Sequence, residues 1–97
     1  MPSPYTVARS KSATLAAGGP ADVVNLSANY SKAEVTNRAS TGAGISFRTD
    51  GTAPTVLGDD CFWVGPGQSL IVDLGGSADQ VQLISATADA YTVTGVS

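Results

Sequence analysis

The stretch AEVTNRASTGAGISFRTDGTAPTVLGDDCFWV, residues 33–64, decides the fold of this chain. It contains both Phe residues, the only Trp and the only Cys, together with the densest turn signals. A strand-like run, residues 34–38, meets a second, residues 44–49, across a loop of small residues. If these runs pair, Arg38 and Arg48 point outward on one shared face.

The same stretch ends in an apolar run, Cys-Phe-Trp-Val, residues 61–64. Adjacent strand residues point to opposite faces, so Phe62 and Trp63 cannot enter the same core layer. One of them is therefore expected to be exposed or to lie beneath a partner. The alternative places Trp63 in the core and Phe62 under an adjoining loop. We interpret Cys61 as a small core residue, because the neighbouring acid Asp60 does not favour a reactive thiolate.

Short runs with a period of two flank this stretch on both sides, separated by Gly, Pro and Asp turn signals at spacings of roughly 8–12 residues. The apolar residues expected to share core-facing positions are Val24 with Leu26, Ile45 with Phe47, Leu70 with Val72, Val81 with Leu83, and Tyr91 with Val93. This pattern predicts one all-β domain over residues 1–97, with an extended arm at residues 1–4. We expect a compact β-sandwich or barrel-like domain of about eight short, mainly antiparallel strands.

The charged residues are few and unevenly distributed. They form 13% of the chain, against about a quarter in an average protein. All five Lys and Arg residues precede Asp50, whereas six of the eight acids lie from Asp50 onward. Such asymmetry suits head-to-tail or partner contacts. The net charge of −3 and the absence of a basic run argue against nucleic-acid binding.

The N-terminal residues MPSPYTVARSKS lack the apolar region of a signal peptide, and no stretch approaches ~18 apolar residues. We therefore expect synthesis in a reducing cytoplasm and no association with a membrane. A single cysteine excludes a disulfide within the chain.

The sequence predicts no enzymatic activity. It contains no His, which rules out Ser-His and Cys-His pairs for nucleophilic catalysis. Asp59 and Asp60 are adjacent, so on a strand they would face opposite sides. Together with Asp50 they offer oxygen ligands for Ca²⁺, but their spacing matches no specific calcium loop, and a solvated turn is the preferred interpretation. We predict no catalytic residue, cofactor or metal ligand.

Five residues are predicted to contact a partner: Tyr5, Arg38, Arg48, Phe62 and Trp63. Tyr5 follows the Pro-containing arm, which would reach a neighbouring subunit; a frayed terminus is the alternative. The two arginines are included for their expected shared face, and the two aromatics because a thin core cannot bury both.

A longer pattern carries a family resemblance. It runs N-R, then I-x-F-R-T-D-G-T-x-P-T-V-x-G-D-D, an apolar strand, P-G, V-x-L-I-S and Y-x-V-x-G. The matching positions are Asn37, Arg38, Ile45, Phe47, Arg48, Thr49, Asp50, Gly51, Pro54, Thr55, Val56, Gly58, Asp59, Asp60, Gly65, Pro66, Gly67, Val81, Leu83, Ile84, Ser85, Tyr91, Val93 and Gly95. Over residues 35–95 the chain resembles the small β-rich virion structural proteins of tailed bacteriophages.

This resemblance implies a capsid decoration (cement) subunit or another minor capsid protein, with the major capsid protein as its partner and the capsid surface as its location. It implies no catalytic residues. A homo-oligomer, with a trimer favoured, would bury outward apolar groups such as Phe62. The rival hypothesis is a carbohydrate- or host-binding module of a head fibre or tail, which a β-sandwich also supports.

Overall fold

The computed structural model describes residues 10–26, 30–74 and 80–96, and their regular structure is entirely β. Tyr5 and the predicted arm, residues 1–4, lie outside the described residues. The described strands are β1 (Ser10–Thr14), β2 (Asp22–Asn25), β3 (Lys32–Asn37), β4 (Ile45–Arg48), β5 (Phe62–Val64), β6 (Ser69–Asp73), β7 (Gln80–Ile84) and β8 (Ala90–Val96). The predicted all-β fold is confirmed, and these eight strands agree with the number expected.

The strands form two four-stranded sheets, ordered β1-β8-β3-β6 and β2-β7-β4-β5. All neighbouring strands within each sheet are antiparallel. The sheets pack face to face without closing into a barrel, so the fold is a β-sandwich.

The order of pairing shows how the chain reaches this arrangement. β1 pairs with β8, β2 with β7, β3 with β6, and β4 with β5. The chain is therefore one long hairpin, rolled over so that its two halves supply both sheets. Residues 49–61, between β4 and β5, form the tip of this hairpin, and we call them the tip connection. This is the topology of a jelly roll.

Alternation along the strands explains the core. Val81 and Leu83 of β7 are fully buried, whereas Gln80 and Gln82 between them are partly exposed. β8 repeats the pattern and ends at Gly95, where a Cβ atom would lie 2.5 Å from the ring of Tyr30. The buried apolar residues are Leu15, Val24, Leu26, Tyr30, Ala33, Val35, Ile45, Phe47, Val64, Val72, Leu74, Val81, Leu83, Tyr91 and Val93.

The expected pairing of residues 34–38 with residues 44–49 is wrong. β3 lies between β8 and β6 in one sheet, while β4 lies between β7 and β5 in the other. The connection between them crosses from sheet to sheet instead of forming a hairpin. Arg38 and Arg48 therefore do not share a face, because they extend from different sheets.

The expectation that Cys61 belongs to the core is also wrong. Its side chain is partly exposed, and the thiol lies 3.7 Å from the carbonyl oxygen of Thr55. Cys61 ends the tip connection just before β5 begins, so its side chain faces that connection and not the interior of the sandwich.

Candidate functional site

Trp63 lies on β5, the edge strand of the sheet β2-β7-β4-β5. Its partner across the strand pair is Ser46, and both side chains point away from the core-facing Ile45 and Val64. The side chain of Trp63 is 49% exposed. The expectation that an aromatic of this run is exposed is confirmed, and the alternative that places Trp63 in the core is wrong.

Two glycines set the orientation of the indole. A Cβ atom at Gly44 would collide with Nε1 of Trp63, and one at Gly65 would lie 2.8 Å from Cη2. The indole N–H donates to the carbonyl oxygen of Ala43 at 3.2 Å. Gly44 has φ +89°, a conformation that favours glycine. The ring therefore rests on bare backbone with its N–H satisfied, while half of its surface remains in solvent.

A buried polar network beneath the indole fixes Gly44. Asp89 is 1% exposed and accepts hydrogen bonds from Asn37 Nδ2 at 3.0 Å, from Gly44 N at 3.2 Å and from Thr87 Oγ1. The hydroxyl of Ser85 donates to the carbonyl oxygen of Gly44 at 2.7 Å. Both polar groups of the Gly44 backbone are thus held from below, which pre-organises the surface that carries Trp63.

Phe62 lies on the opposite face of β5 from Trp63. Its ring centroid is 5.4 Å from that of the buried Phe47, its neighbour on β4. Because β5 is an edge strand, the outer side of this ring stays open and Phe62 is 45% exposed. The alternative placement of Phe62 beneath a loop is therefore wrong, and both aromatics reach solvent.

The tip connection adds apolar surface beside Trp63. The N–H of Leu57 donates to Ser46 Oγ at 2.9 Å, so this part of the connection lies over the outer face of β4. Leu57 has φ +52°, an uncommon conformation for a residue with a side chain, and is 66% exposed. Val56 next to it is also exposed. We call Val56, Leu57 and Trp63 the apolar patch, and Phe62 reaches solvent on the other face of β5.

Charged groups border the apolar patch. Arg48 Nε and Nη2 donate to the two carboxylate oxygens of Asp50 at 3.1 and 2.5 Å, and Nη1 lies 3.7 Å from Asp60 Oδ2. The hydrogen bonds from Arg48 and from the backbone N–H of Thr52 lower the pKa of Asp50 to about 2. The same bond to Asp50 raises the pKa of Arg48. Asp59 adds a further exposed carboxylate, so the border is acidic overall.

The structure brings together three of the predicted contact residues, Arg48, Phe62 and Trp63, around β4 and β5. Arg38 extends from the end of β3 in the other sheet, where its Nη2 donates to the carbonyl oxygen of Tyr91 at 3.4 Å. Tyr5 lies outside the described residues.

Sequence reasoning missed Leu57 and the polar network of Asp89, Ser85 and Thr87. One signal was present. Asn37 occupies a core-facing position after Ala33 and Val35, and a polar side chain there requires buried partners.

Within residues 10–26, 30–74 and 80–96, no three His, Cys, Asp or Glu side chains are grouped so that they could hold a metal ion. The same residues contain no helix of the length and apolarity needed to cross a membrane.

Comparison of the chain with protein families, with curated proteins and with solved structures found no match.

Proposed function

We propose that this protein is a non-enzymatic virion structural protein, a capsid decoration subunit that binds the outer surface of a phage head and stabilises it. Two lines of support are independent of each other. One is the resemblance of residues 35–95 to small virion proteins of tailed bacteriophages. The other is the apolar patch on a jelly roll, a fold used by viral capsid proteins and also by lectins.

The observation that carries the proposal is the pre-organised apolar patch. Exposed large apolar side chains grouped beside charged ones point to a contact with another molecule. Trp63 is already held by Ala43, Gly44 and Gly65, so little conformational entropy is lost when a partner covers it. Buried aromatic side chains of this kind supply most of the binding energy of protein interfaces.

Decoration of a shell does not require a tight single contact. A standard interface buries about 800 Å² on each partner. When an oligomer engages several equivalent sites of a symmetric shell, its contacts reinforce one another through effective concentration. In this proposal the major capsid protein is the partner, and the chain is made in the bacterial cytoplasm before it joins the capsid surface.

The test is binding of purified protein to phage heads that lack it. Trp63→Ala removes the central side chain of the patch and should weaken binding by about 2 kcal/mol or more, roughly 30-fold. Ile71→Ala is the matched control, because Ile71 is exposed on the outer face of the other sheet. Equal binding of Trp63→Ala and wild-type protein would contradict the proposed contact.

A second measurement concerns location. Quantitative mass spectrometry of separated heads and tails gives the copy number of the protein in each. Decoration predicts many copies on heads. A small number of copies confined to tails would reject it in favour of the rival function.

That rival is a carbohydrate-binding module, and the orientation of Trp63 favours it specifically. A fixed, exposed indole face offers a flat apolar surface to the C–H face of a sugar ring, while its N–H is already used within the protein. Saturable glycan binding that is lost in Trp63→Ala and retained in Trp63→Phe would support this function. Such binding without any affinity for heads would replace the decoration proposal.

A further inference from the structure

Among the strands that the structure describes, β1 and β2 are edge strands, and a groove opens between them on the side of the sandwich away from β5 and β6. Its volume is about 340 Å³, and the residues that line it are Ser10, Lys11, Val23, Val24, Asn25 and Leu26. Val24 and Leu26 are core residues, so one wall of the groove is apolar. Val24 and Leu26 are nearly buried and form its apolar part, while Ser10, Lys11 and Asn25 supply its polar part.

Lys11 has an unusual position in this groove. Along β1 it shares a side with Ala13 and with Leu15 beyond the strand, and these two pack towards the core. A core-facing position on a central strand would not accept a lysine, because the ammonium would lose its hydration. Here the open edge leaves Lys11 exposed, beside the apolar wall. The groove therefore suits an apolar group that is accompanied by a carboxylate.

The tip connection presents this combination. Leu57 is the most exposed large apolar residue of the described chain, and its backbone has φ +52°. Asp59 and Asp60 follow it within the same turn region, and both are exposed. Leu57 would meet the wall of Val24 and Leu26 while a carboxylate reaches Lys11.

The two surfaces lie on opposite halves of one sheet. In the order β2-β7-β4-β5, the groove belongs to the β2 edge, whereas Leu57 lies over the outer face of β4, next to the β5 edge. A molecule cannot readily fill its own groove with its own tip connection, but it can engage one neighbour on each side. With four alternating antiparallel strands, β5 runs opposite to β2, so similarly oriented copies meet with antiparallel edges.

We propose that copies of this chain assemble head to tail, with Leu57 of one copy in the β1–β2 groove of the next and Asp59 or Asp60 facing Lys11. The proposal deepens the decoration function and rests on it only for its biological setting. In this assembly Leu57 belongs to the contact between copies, which leaves Trp63 and Val56 of the apolar patch for the capsid. Such a heterologous interface forms a ring when its rotation closes, and an open filament when it does not.

The decisive experiment uses two variants, each damaged on one surface only. Lys11→Glu reverses the charge of the groove, and Leu57→Asp places a carboxylate on the inserted side chain. Each variant alone should be monomeric by light scattering at concentrations where the wild-type protein is oligomeric. Lys32→Glu and Ile71→Asp are the matched controls, since both residues are exposed away from the two surfaces, and both variants should keep the wild-type mass.

Mixing the two damaged variants distinguishes this interface from a symmetric one. Lys11→Glu keeps an intact tip connection and Leu57→Asp keeps an intact groove, so each mixed pair can form one native contact. The mixture should give a dimer and nothing larger. In a symmetric interface both copies use the same patch, so mixing the two variants restores no native contact. The mixture would then have the same mass as each variant alone.

A carbodiimide cross-link supplies a readout that does not depend on mass alone. In an equal mixture of ¹⁴N- and ¹⁵N-labelled wild-type protein, we expect isotopically mixed peptides that join Lys11 to Asp59 or Asp60. A monomeric wild-type protein at millimolar concentration would overturn the proposal. An oligomer that persists in both Lys11→Glu and Leu57→Asp would also overturn the proposal. The groove would then have another occupant, such as residues 1–9 of the same chain.

These outcomes separate the assembly from the proposed function. Head binding by a monomeric wild-type protein would leave decoration standing and reject the head-to-tail contact. A ring that binds no heads would support the head-to-tail contact and reject decoration.

Discussion

Asp89 supports the exposed indole without touching it. Its carboxylate orders Gly44 and Asn37, and Gly44 in turn forms part of the surface beneath Trp63. The Asp89 carboxylate therefore acts on Trp63 only through the backbone of Gly44. This arrangement requires glycine at position 44, because a Cβ atom there would collide with the indole.

Replacement of this carboxylate should therefore change both stability and the environment of Trp63. Asp89→Ala leaves the N–H of Gly44 without its buried acceptor, and we expect the free energy of unfolding to fall by about 2–3 kcal/mol. The fluorescence maximum of the only Trp should shift as its support loosens. Asp73→Ala, at an exposed position of β6, is the control and should change stability by about 0.5 kcal/mol or less. An unchanged emission spectrum in Asp89→Ala would contradict the positioning role.

Asp50 gives a prediction for acid pH. Its carboxylate has a pKa of about 2 in the folded protein, mainly because of the hydrogen bonds from Arg48, against about 3.9 in an unfolded chain. Between these values the unfolded state binds more protons, so the stability from this pair is complete above about pH 4 and is lost as the pH falls towards 2.

The measurement is denaturant unfolding of wild-type protein and Asp50→Asn across this range. The wild-type protein should lose stability more steeply than the variant as acid is added. Salt should reduce the difference, because Arg48 and Asp50 lie at the surface. Parallel pH dependence of the two proteins would show that the pair does not couple to folding.

Single residues also show where sequence reasoning stops. That one aromatic of residues 61–64 must reach solvent follows from strand geometry, and the structure agrees. That Trp63 rests on Gly44 and Gly65 does not follow, because Gly44 lies in a different connection and is brought there by the pairing of β4 with β5. Local pattern carries no information about such partners.

At the scale of elements, the tip connection depends on one serine. Ser46 points to the outer face of β4, yet it is 2% exposed because the connection covers it and Leu57 donates to its hydroxyl. A polar residue at an outward position of a strand is ordinarily solvated, so the burial of Ser46 shows that the connection lies above it.

Ser46→Ala should release this loop. We expect a loss of about 1 kcal/mol in the free energy of unfolding and faster hydrogen exchange at the amide of Leu57. Ser69→Ala is the control, since the Ser69 hydroxyl bonds to Thr36 at 2.8 Å on an exposed face, where the net contribution is small. Slow exchange at Leu57 in Ser46→Ala would mean that other contacts hold the connection.

The strands themselves were predictable because the period of two survives wherever one face is buried, as in β7 and β8. Their pairing was not. A short run of small residues between two strands permits a hairpin within one sheet or a crossing between sheets, and residues 39–43 make the crossing. The choice is set by β6 and β8, which occupy both sides of β3.

At the scale of the whole molecule, Tyr91 joins the two sheets. It belongs to β8 in one sheet, and its hydroxyl donates to Asp22 of β2 in the other at 2.8 Å. The ring is fully buried, and this burial, followed by the contact with Asp22, raises the pKa of the Tyr91 hydroxyl.

Tyr91→Phe should cost about 1–2 kcal/mol at neutral pH through loss of this bond. The cost should shrink at alkaline pH. In the unfolded chain Tyr ionises near pH 10, below its pKa in the folded protein, so the stability linked to the neutral hydroxyl is complete below about pH 10 and is lost above it. Unfolding of both proteins between about pH 8 and about pH 11 measures the difference, and a constant difference would contradict the linkage.

The rolled hairpin has a kinetic consequence. β4 and β5 close the shortest loop, β3 and β6 the next, and β1 and β8 join the most distant parts of the described chain. The entropic cost of closing a loop rises with its length, so we expect folding to begin at β4–β5 and to proceed outward to β1–β8. Pulsed hydrogen exchange should then protect amides of β4 before those of β1. A refolding copy would expose Leu57 and Trp63 before its β1–β2 groove forms. Its Leu57 could then enter the groove of a folded copy before its own groove could bind the Leu57 of another.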